Sequence, residues 1–160
     1  MPPAFAAELF GIALQSATLD QLRDAAKQAG AVLIREGGER QWFDVYDSQK
    51  LLPGSSRIYL GYVKQSRQLA FVEYEFNGLQ QPEMLKRLAL KYGQAKIEQG
   101  KYISDSRYRW SLNGIEIEMV SDWQNYRTRL SYINPPVLQA LNKERVQASA
   151  TELSEEQQRY

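Results

Sequence analysis

The dipeptide Asn113-Gly114 restricts this chain more than any other feature of its sequence. It separates two runs rich in strand-forming residues, 107–112 and 115–121. Asn and Gly both accept positive φ, so a two-residue loop of this kind closes a tight antiparallel hairpin. Side chains alternate along a strand, and the turn therefore also sets which residues face one another. Leu112 falls opposite Ile115, Trp110 opposite Ile117 and Tyr108 opposite Met119, all toward a core. Arg109 lies opposite Glu118 and Ser111 opposite Glu116 on the outer side. A further strand, 126–133, carries Leu130 and Tyr132 inward and Arg127 and Arg129 outward. Arg107, Arg109, Arg127 and Arg129 then read as two arms of an Arg–Glu–Arg ladder around Glu116 and Glu118, a solvated sheet face held by cross-strand pairing. Interleaved with Tyr108, Trp110 and Tyr126, the same arginines offer the alternative of an anion-binding or nucleic-acid surface.

The rest of the chain supplies helices and more strands. Thr18 and Gln21 make a capping-box pattern ahead of the helical stripe Leu19, Leu22, Ala26 and Ala29, which Gly30 ends. Strands are expected at 31–35, 42–46, 58–63 and 69–76, with Gly37-Gly38 and Pro53-Gly54 as turns. In the last of these, Ala70, Val72, Tyr74 and Phe76 share one face, with Glu73 and Glu75 on the other. A second helix opens at Pro82 with Leu85, Leu88, Ala89 and Tyr92 on its apolar side and Gly93 at its end. A third opens at Asn134-Pro135-Pro136, with Asn134 as its cap and Val137, Leu138 and Leu141 as its contacts. This order predicts an α+β fold: helices packed on one face of an antiparallel sheet, as two α-β(3–4) repeats plus a C-terminal helix. The expected organisation is a processed or flexible stretch at 1–8, one domain at 9–146 with pseudo-halves 9–78 and 79–146, and a polar, exposed, helical tail at 147–160.

Composition narrows function by exclusion. The chain has no His and no Cys. That removes His-based triads, thiol nucleophiles and the usual zinc sites, and no cofactor or metal is expected. Twenty Lys and Arg against nineteen Asp and Glu lack the basic excess that phosphate neutralisation requires, which argues against a nucleic-acid partner. No apolar run is long enough for a transmembrane helix. Glu73 and Glu75, with Asp44 and Asp47, are the candidate acid/base carboxylates of a hydrolase, although two Glu at i and i+2 also describe any solvated strand face. Asp44 and Asp47 offer oxygens to calcium, but without an EF-hand loop.

Two resemblances carry expectations. Leu9-Phe10-Gly11-Ile12, Lys91-Tyr92-Gly93 and Leu130-Ser131-Tyr132 resemble segments of small exported proteins of unknown function from Gram-negative bacteria. The twice-used helix-plus-sheet arrangement is similar to β-lactamase-inhibitor-protein-like folds and to the smaller envelope lipoproteins of the outer-membrane assembly machinery. This resemblance implies a non-enzymatic binding or accessory protein of the bacterial cell envelope, with another protein as partner; it lends no functional residue. Ala4-Phe5-Ala6-Ala7 reads as the small-x-small end of a signal peptide, hence a periplasmic or secreted location, the alternative being a flexible cytoplasmic N-terminus. Separately, Arg67-Gln68-Leu69-Ala70-Phe71-Val72-Glu73-Tyr74 resembles the first ribonucleoprotein motif of RNA-recognition-motif domains, with Gln68 in place of the Gly and Leu69 in place of the first stacking aromatic. That resemblance implies an RNA-binding module in which Phe71 stacks on a base. Three strands precede the motif here where the family has one after its first helix. The candidate binding residues are therefore Phe71 together with Trp123, which follows Asp122 in a loop, and the neighbouring Tyr126. No feature sets an oligomeric state.

Overall fold

The computed structural model describes residues 7–79, 82–100 and 106–160. The residues Ala4 to Ala6, on which the export expectation rests, lie outside them. A small ribbon of β1 (Glu8–Leu9) and β2 (Ile12–Ala13) leads through a 3-10 turn into α1 (Leu19–Ala29). The capping box forms as the spacing predicts: the Gln21 amide donates to Thr18 Oγ1 at 3.3 Å and the Thr18 amide to Gln21 Oε1 at 3.0 Å. Gly30 ends the helix in the left-handed region, at φ 118°.

Four strands follow as a meander: β3 (Val32–Arg35), β4 (Phe43–Asp47), β5 (Ser55–Tyr62) and β6 (Leu69–Asn77). Then α2 (Pro82–Tyr92) precedes a second meander of β7 (Lys96–Glu98), β8 (Arg107–Leu112), β9 (Ile115–Asp122) and β10 (Arg127–Ile133). The long helix α3 (Pro135–Gln157) closes the chain. All eight strands join one antiparallel sheet in the order β3-β4-β5-β6-β10-β9-β8-β7. The last strands of the two meanders thus pair with each other. Their register runs from Arg127 opposite Asn77 to Ile133 opposite Phe71. The hairpin at Asn113-Gly114 has the register read from its turn, Leu112 opposite Ile115 through Tyr108 opposite Met119.

The main core lies on one face of this sheet. Leu19, Leu22 and Ala26 of α1 are wholly buried there with Ile58, Leu60, Val72, Ile117 and Met119. Burying each Leu side chain contributes about 2 kcal/mol. α2 adds Leu88 and Tyr92 to the same core. The C-terminal helix takes the opposite face. Val137 and Leu141 pack with Trp42, Val63 and Ala70, and Phe71 lies against them. Glu144 fixes the helix there: its carboxylate accepts from Trp42 Nε1 at 3.2 Å and from the Lys64 and Gln65 amides at 2.7 and 3.0 Å.

Three details differ from the sequence pattern. Ala70 does not share the face of Val72. A register shift sets Gly61 opposite Phe71 but Tyr62 opposite Leu69, so Ala70 is an extra residue that turns toward α3. On α2, Ala89 is exposed and Met84 is the residue that joins Leu85, Leu88 and Tyr92 on the packed side. Asn134 precedes α3 but does not cap it through its side chain, which donates instead to the Gln15 carbonyl at 3.2 Å. At the sheet's first edge, Val32, Leu33 and Ile34 stand exposed on β3, whereas β7 at the other edge carries Lys96 and Glu98.

Gly61 is a point of close approach to Phe71. A Cβ there would sit 2.0 Å from Cε1 of the Phe71 ring. Gly61→Ala is therefore expected to lower stability by about 1–3 kcal/mol in urea unfolding, because the ring must leave its packed position. In a Phe71→Ala background the same substitution should cost well under half as much. Equal costs in both backgrounds would show that the ring is not what Gly61 accommodates.

Candidate ligand-binding cleft

The carboxylates singled out in the sequence are all engaged. Asp44 is fully buried and accepts Arg23 Nε and Nη2 at 2.6 and 2.8 Å, the Gly37 amide at 2.9 Å and the Tyr46 hydroxyl at 3.0 Å. It ties α1 to β4 and has no lone pair directed at a substrate or cation. Asp47 accepts the Gln49 amide at 3.0 Å at the surface. Glu75 accepts from the Tyr59 hydroxyl at 2.8 Å and pairs with Arg127 across β6 and β10. Burial, and then the Glu75 hydrogen bond, push the Tyr59 hydroxyl up to about 12. Glu73 accepts from Ser131 Oγ at 2.8 Å. Each glutamate is thus fastened to its neighbours. Among the described residues no cluster of three or more acidic side chains is arranged to hold a metal ion.

The arginine ladder forms on one side only. Glu118 meets Arg107 at 3.4 Å and Arg109 at 4.0 Å, and Arg109 also reaches Glu98 at 3.3 Å. On the other side the register places Ser131 opposite Glu118 and Ile133 opposite Glu116. Arg127 therefore pairs with Glu75 instead of Glu118. These pairs engage Arg107, Arg109 and Arg127, whereas Arg129 and Glu116 form no ion pair among the described residues.

The candidate binding aromatics occupy different settings. Phe71 is half-buried, with its ring over Gly61 and against the cluster beneath α3. Arg67, at the start of the same motif, is held by Asp20 at 2.7 and 3.0 Å. α3 covers the face on which a base would stack on Phe71. Trp123 and Tyr126 lie in the β9–β10 loop and are 51% and 64% exposed. Asp122 organises that loop by accepting the Gln124 and Asn125 amides and the Asn125 side chain, which holds its carboxyl below the usual range. Tyr126 itself is held at φ 51°, a conformation bulky residues seldom adopt.

A larger apolar lining occurs elsewhere, and sequence periodicity gives no sign of it. α1 approaches β5 closely, whereas among the described residues α2 makes no comparably close approach to a strand. α2 is fastened at its C-terminal end: Trp110 Nε1 donates to the Gly93 carbonyl at 2.8 Å, and the Tyr92 ring meets Tyr132 edge-on at 6.3 Å. Between α2 and the sheet is a cleft of about 540 Å³. Its floor is Tyr74 and Phe76 of β6 with Leu130 and Tyr132 of β10. Met84 and Leu88 form the α2 wall, and the Leu52-Pro53-Gly54 turn and Leu9 face them. Burial, the largest cause in each case, raises the Tyr74 and Tyr132 hydroxyls above their usual range, so both stay protonated and the floor is uncharged. Glu83, Arg87 and Lys91 stand at the rim. Asn77 borders both this cleft and the shallow depression beside Tyr126. Among the described residues the lining holds a single carboxylate, that of Glu83.

No protein-family model matches the chain, and no curated protein matches it. Among solved structures, the crystal structure of a DUF4309 family protein (YjgB) from Bacillus subtilis is similar over 73% of this chain and 78% of its own, at 15% identity and a TM-score of 0.45. That similarity lends no residue and no role to this chain.

The strained loop gives a direct check on its conformation. Tyr126→Gly should raise the urea midpoint by the equivalent of about 1 kcal/mol, since Gly adopts this φ without steric cost. A lower midpoint would mean that the exposed ring stabilises the loop by more than its backbone strain costs.

Proposed function

We propose that this protein is a non-enzymatic binding protein whose ligand site is the cleft between α2 and the strands β6 and β10. The observation that carries this reading is a cleft of about 540 Å³ lined by the apolar side chains of Tyr74, Phe76, Leu130 and Tyr132, each more than nine-tenths buried. A volume of this size lies in the range of small-molecule sites, which are mostly apolar with few charged groups at their margins. The engaged state of Asp44, Glu73 and Glu75 supports binding over acid/base catalysis. The small-residue run Ala4-Phe5-Ala6-Ala7 and the resemblance to exported proteins support a setting in the bacterial cell envelope. Among the described residues no helix is long and apolar enough to cross a membrane.

A second reading, docking of another protein at Trp123 and Tyr126, rests on the exposure of both rings and the left-handed Tyr126. Such aromatic pairs on ordered loops are common binding anchors.

The neutral probe N-phenylnaphthylamine tests the cleft. Its fluorescence should rise on addition of the protein, and Met84→Glu should weaken its binding at least about tenfold, because a carboxylate then faces an apolar wall. Met84 is only half-buried, so circular dichroism should show the fold retained. Absence of any fluorescence rise with the unaltered protein, or equal affinity in the variant, overturns the cleft as the site.

A further inference from the structure

We infer that the ligand of this cleft is a single-chain amphiphile with an anionic headgroup, its chain on the β6–β10 floor and its carboxylate or phosphate at Arg87 and Lys91. The inference rests on the binding reading above and adds the class of ligand. Arg87 and Lys91 are four residues apart on α2 and border the same cleft, one turn above the other. Long basic side chains lay their stems along apolar surface and keep their charge in water, which suits the rim of an apolar space. Among the described residues neither charge has a tight carboxylate partner. Arg87 meets Glu83 at 4.0 Å with both side chains largely exposed, a pair worth little. Lys91 Nζ donates to the backbone carbonyl of Glu8 at 3.3 Å, which uses one donor and leaves the charge in place.

The cleft lining thus carries two cations and one carboxylate around an uncharged floor. A wholly apolar ligand would leave the rim groups idle, and a cationic one would face both of them. An anion gains charge-assisted hydrogen bonds, with Arg87 offering the two-pronged geometry that carboxylates and phosphates match. A single chain suits one cleft of about 540 Å³ with charged side chains at its margin.

Displacement of N-phenylnaphthylamine by three ligands of equal chain length tests this: dodecanoate, dodecanol and dodecyltrimethylammonium, each below its micelle-forming concentration. Dodecanoate is expected to displace the probe at about tenfold lower concentration than dodecanol, with the cation weakest. The double variant Arg87→Gln/Lys91→Gln should narrow the anion-to-alcohol ratio to below about twofold. Equal displacement by all three, or an unchanged ratio in the variant, overturns the ligand class while the apolar cleft stands. Failure of the probe itself to bind overturns the binding reading beneath it. Co-sedimentation with phosphatidylglycerol vesicles separates the two sources of such a headgroup. Retention on vesicles without displacement by dodecanoate contradicts a free single-chain ligand and assigns the rim to a membrane surface.

Discussion

The pairing of β6 with β10 is the contact on which the two halves of this protein depend. Each half is a helix followed by a four-stranded meander, and each meander alone would present its final strand as an open edge. Joined in register from Asn77–Arg127 to Phe71–Ile133, the two edges close each other and make one eight-stranded sheet. Strand alternation at this seam sends Val72, Tyr74, Leu130 and Tyr132 to the inner face and Glu73, Glu75, Arg127 and Ser131 to the outer one. Glu75–Arg127 and Glu73–Ser131 then bridge the seam on its outer side. The inner side receives α1 and α2, and α3 lies across the outer face at the other end of β6.

The cleft follows from a difference between the two helices that share the inner face. α1 presents Leu19, Leu22 and Ala26, whose small and branched side chains let its backbone approach β5. Its partner residue Arg23 is drawn in by the buried Asp44. Among the described residues α2 has no counterpart to that buried ion pair. Its packed face begins with the half-exposed Met84 and Leu85 and ends on Tyr92, a large ring stacked edge-on against Tyr132. A bulky residue at one end and half-exposed side chains at the other leave a cleft between the helix and the aromatic and Leu side chains beneath it. The functional proposal therefore comes from the same feature that distinguishes the second half from the first.

Much of the local structure was legible in the residues themselves. Asn113-Gly114 set its hairpin register because a two-residue turn allows few alternatives, and Thr18 with Gln21 marked α1 because both partners lie within one turn. Features set by distant residues were not legible. The turning of Ala70 toward α3 depends on a bulge against β5 and on Gly61 making room for Phe71. Asp44 read as a free carboxylate because Arg23, twenty-one residues away, gives no sequence sign of approaching it. Glu116 and Glu118 were assigned to two strands of arginines, but the length of the Trp123–Tyr126 loop shifts β10 so that Arg127 meets Glu75. Of the candidate site residues, Trp123 and Tyr126 stand in the open and Phe71 is held in a packed layer. The cleft was invisible because every residue that lines it looks like ordinary core when read along one strand or one helix. Only the seam brings β6 and β10 together beneath α2.

Intermolecular nuclear Overhauser effects between a bound aliphatic ligand and the protein's methyl groups test this account most directly. It predicts contacts from the ligand chain to the methyls of Leu130, Leu88 and Met84, which come from the seam and from the helix above it. Contacts confined to Val32, Leu33 and Ile34 at the exposed β3 edge, or to Val146 on α3, with none at Leu130, would contradict it.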